Sequence, residues 1–411
     1  MTTPLFQHPG YPGFAKGFFE RHLDELDFLF DHRRVFFEDP LVPWPSVERL
    51  DTRIRAHAAA LAAWGEPALT FARTGLEAPD TALPAAFTLA HAGAEGDVKV
   101  AVAALTTAPA ELLPRLVLGL SMARGPDPSA LLEPLGASES APVRAAVATI
   151  LGHRRRGRTS VLERLLHDAD VTVQLAAARG LARLGARDMA PVLERKAAEA
   201  PPDQDGLLWP LVELGSRAVP GLCRQAFSAG NTPSPDTALA LAITGDPSDA
   251  ALLRALSPAP RAAHALGLLG AVTAVPWLLQ MLAPGDEPLQ AAAGAALARL
   301  TGAPLVETAD LPAPDAEEPP RTPPLRVQRP STSRVAWERW WHTHRARFDE
   351  RTRYRAGAPL EARAPIDELA APFTPFAERR RAAAEVRHLT RVPFPFDPDG
   401  WITEQKQALR E

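Results

Sequence analysis

Val173-Gln-Leu-Ala-Ala-Ala-Arg-Gly-Leu-Ala-Arg-Leu-Gly185, followed after a short break by Met189-Ala-Pro-Val-Leu193, decides the fold. Val173, Ala177, Gly180 and Leu184 stand at i, i+4, i+7 and i+11, the apolar stripe of an α-helix, and Leu175, Ala178 and Leu181 widen it. A helix apolar over so wide an arc is expected between two neighbours. Val143-Arg144-Ala-Ala-Val-Ala148 stands 30 residues earlier in the same phase. Gly185, Gly215 and Gly245 recur at 30-residue intervals, Gly270 follows after 25, and Gly302 after 32. Leu289–Leu300 nearly copies the helix that begins at Val173. Self-similarity at this period marks an all-α, right-handed α-solenoid of about eight helical hairpins.

Local chemistry punctuates the hairpins. In the clearest unit Ser160 opens a helix with Val161, Leu162, Leu165 and Leu166, and Asp168 and Asp170 supply caps before Val173. The spaced glycines are expected just past helix ends, in the left-handed conformation that costs glycine nothing. Pro191, Pro220 and Pro276 then open the next helices, where a missing amide hydrogen is harmless. Leu181 and Leu184 are expected buried at a repeat interface, and Arg183 is expected to tolerate substitution.

Working outward, residues 1–50 read as an arm and a capping helix. Phe6, Tyr11 and Phe14 lie in a proline- and glycine-rich arm. Phe19, Leu23, Leu26 and Phe30 stripe a helix over 15–37, and Pro40, Pro43 and Pro45 stop it. Ser46 caps the next helix, with Leu50, Ile54, His57 and Leu61 on its apolar face. Residues 51–302 carry the repeats. Residues 303–333 hold eight prolines and an acidic cluster, the composition of an extended linker. Residues 334–411 form an arginine- and tryptophan-rich module in which Trp337, Trp341 and Phe348 should make one buried stripe, with Trp340 on its flank. Residues 321–391 carry sixteen arginines against eight acids, within a chain of net charge −4. That excess favours docking of the module on the acidic repeats near Leu297 and Leu300.

Composition narrows the function classes. Cys223 is the single cysteine, so no disulfide framework and no cysteine-based zinc site is expected. The N-terminus lacks the features of a signal peptide, and no run approaches the 18 apolar residues of a membrane span. The expectation is a soluble cytoplasmic protein without a membrane partner. His342 and His344 point to different helix faces at their spacing, so no metal and no cofactor is expected. The run Trp337-Glu-Arg-Trp-Trp-His-Thr-His-Arg-Ala-Arg-Phe348 mixes aromatics with arginines as nucleic-acid surfaces do, but its helical spacing favours a packed amphipathic helix. Cys223 beside Arg224 reads as a buried, inert thiol, and His57 and His264 as packed histidines. Trp209, Trp277, Trp340, Arg345 and Arg353 are the candidates for partner contact, being of the types enriched at interface hot spots.

The 30-residue unit resembles the short HEAT-like repeats first catalogued in phycobilin lyases. The whole chain is similar to a bacterial family of HEAT-repeat proteins of unknown function. Three regions carry the resemblance: His22-Leu-Asp-Glu-Leu-Asp-Phe-Leu-Phe-Asp-His-Arg33; Ala296-Leu-Ala-Arg-Leu-Thr-Gly302 with the acidic stretch after it; and Trp340-Trp341 to Phe348, Arg353-Tyr354-x-x-Gly357 and Arg380-Arg-Ala-Ala-Ala-Glu385. The chain departs from the family at Asp349–Thr352, where a glycine is usual. The resemblance implies genes near type VI secretion spike genes, hence an adaptor, chaperone or immunity-type protein for a secreted effector. It brings no catalytic residues. Diiron HEAT enzymes rely on His-Glu pairs, and none of the eleven histidines here precedes a glutamate. The function expected is a non-catalytic protein-interaction scaffold or adaptor. The competing readings are a bilin-lyase-like enzyme subunit, which needs a tetrapyrrole partner, and a nucleic-acid-binding HEAT module, against which the acidic repeats argue.

Overall fold

The computed structural model describes residues 8, 10–155, 159–201, 205–228, 233–311 and 325–410. The chain is 70% helical, with 22 α-helices and few, short strands among the described residues. HEAT-like hairpins make it an α-solenoid in class. It divides into two compact units, one of residues 1–193, 366–387 and 391–411, the other of residues 194–365 and 388–390.

In the first unit the helices Glu48–Ala63, Ala82–Ala92, Leu113–Met122, Ala141–Arg154 and Val171–Leu184 pack in succession. Shorter helices such as Glu66–Gly75, Glu95–Thr107 and Thr159–Leu165 complete the hairpins. The closest crossing lies between Ala141–Arg154 and Val171–Leu184. A Cβ on Gly152 would stand 2.6 Å from the Gly180 Cα, so only glycine permits it. That crossing outweighs the roughly 1 kcal/mol that a mid-helix glycine costs. Asp170 caps Val171–Leu184 as its spacing suggests, accepting from the Thr172 and Val173 amides. Asp168 instead pairs with Arg144 at 2.6 Å.

Arg144–Asp168 belongs to a recurring clasp. Arg73 pairs with Asp97 and Arg224 with Asp249 at sequence separations of 24 and 25, matching the 24 of Arg144–Asp168. In each the carboxylate also accepts a backbone amide of its own turn: Ala94 on Asp97, Asp170 on Asp168, and Asp246 on Asp249. One aspartate therefore orders a loop and ties it to an arginine of the preceding turn of the repeat.

In the second unit Leu208–Glu213, Pro235–Thr244, Ala259–Leu269 and Glu287–Thr301 pack in succession. Gly185, Gly215, Gly270 and Gly302 adopt the left-handed conformation expected at helix ends. Gly245 does not, with φ −71°. It is glycine for want of space, since a Cβ there would stand 2.5 Å from Asp249 Oδ2 and 2.6 Å from the Leu241 carbonyl.

Three expectations need correction. The proposed arm at 1–14 is helical where described: the first helix runs Tyr11–Glu38, and Tyr11 and Phe14 lie 5.9 and 6.2 Å from the Trp64 ring, while Phe6 falls outside the described residues. The proposed linker at 303–333 contains an antiparallel hairpin, Val306–Leu311 with Leu325–Pro330. Glu307 ties it to the turn beyond by accepting from Arg329, Ser331 and Thr332, a closure that proline content alone does not reveal. Finally, residues 334–411 are not one body. Residues up to 365 belong to the second unit, whereas 366–387 and 391–411 build their own core in the first from Leu369, Ala382, Ala383, Val386, Phe396 and Ala408.

Leu181 is fully buried, but Leu184 sits at the helix end and is only half-buried. Leu181→Ala should therefore lower unfolding stability by about 2–5 kcal/mol in a denaturant titration. Leu184→Ala should cost clearly less.

Candidate functional site

Stacked hairpins bring helix C-termini together, and their last carbonyls lack partners within the helix. In the first unit Arg154 serves those beyond Leu113–Met122, donating to the Ala123, Gly125 and Pro126 carbonyls. The C-terminal segment then crosses the same ends. Trp401, fully buried, donates from Nε1 to the Met122 carbonyl at 3.0 Å, and Arg155 donates to the carbonyl of Pro395. Arg183 donates to Asp397 at 3.1 Å and Asp399 at 2.5 Å, and Arg380 holds the other oxygen of Asp399 at 2.6 Å. Arg33 reaches the Gly400 carbonyl at 2.6 Å and Asp51 at 2.7 Å. The second oxygen of Asp51 accepts the Ile402 amide at 2.7 Å.

This cluster is electrostatically matched. Burial alone would raise the carboxyls of Asp397 and Asp399, but the guanidinium of Arg183 overrides it and holds both below the usual range, with Arg155 adding to the effect at Asp397. His153 touches Arg183 at 2.8 Å, and burial followed by that positive charge pushes it down to about 4. The expected indifference of Arg183 to substitution is thus overturned. The repeat pattern placed it on the polar side of its helix, and that side is covered by a segment more than two hundred residues away.

The candidate contact residues fare differently from one another, and all lie in the second unit. The Arg353 guanidinium donates to the carbonyls of Ala242, Ile243, Gly245, Leu268 and Leu269 and so closes helix ends. Around it the backbone docks as expected of the module: Tyr354 donates to Gly270, Ala356 to Arg299 and Gly357 to Leu300. Trp277 is half-buried under the Arg254 guanidinium, 4.5 Å from its ring centre, and Trp209 is half-buried. Trp340 is half-buried and stacks on His344 at 4.3 Å, while Arg345 is exposed. Of the expected aromatic stripe only Trp337 is fully buried, with Nε1 donating to the Ser331 carbonyl. Trp341 and Phe348 are half-buried. No ring contact among the described residues joins Trp209, Trp277 and Trp340.

His342 is exposed, and His344 Nδ1 faces the Trp340 carbonyl. Among the described residues no group of three or more histidines, cysteines or acids could hold a metal ion. Cys223 is buried, and burial together with Asp205 and Asp249 pushes its thiol up to about 12. His57 meets His22 nitrogen to nitrogen at 2.9 Å. No described helix is long and apolar enough to cross a membrane.

Residues 128–206 match the family described as HEAT repeats, which supports a HEAT-repeat protein. No curated protein matches the chain. The crystal structure of an engineered protein aligns over 95% of this chain and 99% of its own at 16% identity, with a TM-score of 0.28. HEAT repeats are commonly protein-interaction scaffolds, and the match supports that general role.

Two outcomes follow from the cluster. Arg183→Ala should lower stability by about 1.5–3 kcal/mol, because it removes the guanidinium that two buried carboxylates share. The depressed His153, like His91, also about 4 through burial and then Arg55, refuses protons that the unfolded chain accepts. Stability should fall as pH drops from 6.5 towards 4 and fall further as Asp397 and Asp399 protonate. Melting curves across that range check the sign, and His153→Gln should flatten the upper part of the slope.

Proposed function

We propose that the chain is a non-catalytic protein-interaction scaffold or adaptor. The observation that carries this reading is the HEAT-repeat match over 128–206, set within stacked hairpins. The polar clusters described above support it, because their charged groups are engaged in holding the chain together: Arg183 with Asp397 and Asp399, Arg33 with Asp51, and Arg353 with five carbonyls. Stacked repeats present long surfaces on a rigid frame, which suits partners that are themselves folded proteins. The finer reading is an accessory, chaperone or immunity-type role beside a bacterial type VI secretion machine. It draws on the family resemblance of Trp340–Phe348, Arg353–Gly357 and Arg380–Glu385.

Affinity purification of the tagged full-length chain from its native host, with and without nuclease, tests the scaffold role. The expected outcome is a stoichiometric protein partner whose recovery nuclease does not change. Recovery that collapses with nuclease, together with steep loss of nucleic-acid binding as salt rises, would favour the nucleic-acid reading instead. A co-purifying tetrapyrrole would favour the lyase.

A further inference from the structure

One buried charge in the first unit makes no ion pair with a described residue. Arg379 is fully buried, and its Nε and Nη1 have no hydrogen-bond partner among the described residues. Its third nitrogen donates to Gln405 Oε1, a neutral acceptor. The guanidinium lies 4.1 Å from the Trp44 ring centre and 5.3 Å from that of Phe396, and such stacking offsets only part of the cost of burying a cation. Burial, and then the positive charge of Arg33, press the Arg379 pKa down to about 9, and the negative charge of Asp399, which itself pairs with Arg183 and Arg380, offsets only part of that. The contrast with Arg381 two residues on is direct, since that equally buried side chain pairs with Glu368, Glu378 and Glu385.

Arg379 lines a small cleft whose other walls are largely apolar: Phe36, Phe37, Val42, Trp44, Phe373 and Phe376 among them. Asp39 also lines it, but its carboxylate accepts the Leu41 amide and makes no ion pair with Arg379. Room remains there for about one water molecule, the space that a single carboxylate oxygen takes. Phe373 is 60% exposed, and Val35 and Leu41 beside this end of the first helix are 48% and 47% exposed. A buried cation with unpartnered donors and no ion pair, within an exposed apolar rim, combines the two features of an interface hot spot: a pocket for one charged group and a dry ring that excludes water from it.

We propose that this cleft is a docking site for a protein partner presenting an aspartate or glutamate flanked by apolar side chains. One carboxylate oxygen meets the Arg379 guanidinium, and the flanking side chains cover Phe36, Phe373 and Phe376. The carboxylate is chosen over a neutral acceptor because two guanidinium nitrogens lack partners and no carboxylate bonds to them, and charge-assisted bonds to a desolvated guanidinium are the strong ones. The inference rests on the scaffold reading for its partner being a protein.

Calorimetric titration of the full-length chain with acetyl-Phe-Asp-Phe-amide and with acetyl-Phe-Asn-Phe-amide tests it. The aspartyl peptide should bind about tenfold or more tightly than its neutral analogue. Arg379→Gln should abolish that preference. Phe373→Ser, at an exposed position that does not threaten folding, should weaken both peptides. Equal binding of the two peptides, no binding of either, or unchanged binding to Phe373→Ser would overturn the proposal. So would sodium acetate reproducing the whole effect, which would leave a small-anion site only. A chain that captures its protein partner equally well with Phe373→Ser keeps the scaffold role and loses this site, so the two failures are distinguishable.

Discussion

Every stacked hairpin ends a helix, and every helix end leaves carbonyls that must find donors. In a single helix water serves them. When repeats align, the ends of successive helices lie side by side and partly out of water, and the chain has to supply the donors itself. Here guanidinium groups do much of that work. Arg353 alone serves carbonyls from two helices, Pro235–Thr244 and Ala259–Leu269, and Arg154 serves the end of Leu113–Met122. A planar group with five donors suits a row of acceptors better than an ammonium would. That geometry gives the arginine richness of the chain a structural use.

This demand also explains why the C-terminal region is divided. Residues 353–357 close helix ends in the second unit, and Trp401, within residues 394–402, closes one in the first. Both segments contribute backbone groups as well as side chains, and both meet tight glycine positions or buried aromatics. In the second unit, a Cβ on Gly302 would strike the Ala356 carbonyl, so docking of that segment depends on glycine there. In the first, Trp401 and Phe396 are fully buried.

Much of the helical architecture was legible in the sequence. The stripe Val173, Ala177, Gly180, the cap Asp170 and the glycine at 185 are local signals, and they place a helix within a residue or two. Docking near Leu300 holds for the 353–357 stretch alone, and the division of residues 334–411 between two units was not legible. Nor was the Arg–Asp cluster, because Arg183 and Asp397 are joined only by the path of the folded chain. Periodicity reports which face of a helix is apolar, and a polar face covered by a distant strap looks the same as one covered by water. The strand pair within 303–333 was not legible for a related reason, since eight prolines dominate the composition of that stretch. One signal was present and unread: the arginine-to-aspartate separations of 24, 24 and 25 that recur through both units.

Helix-end closure by arginine is the claim on which the rest depends, and amide hydrogen exchange on Arg353→Ala measures it most directly. Removing that guanidinium should loosen the last turns of Pro235–Thr244 and Ala259–Leu269, with faster exchange there and at Tyr354, whose amide bonds to Gly270. The helix Glu48–Ala63, which Arg353 does not serve, should exchange as in the parent. Unchanged protection at both helix ends would contradict the account and make the arginine an incidental contact.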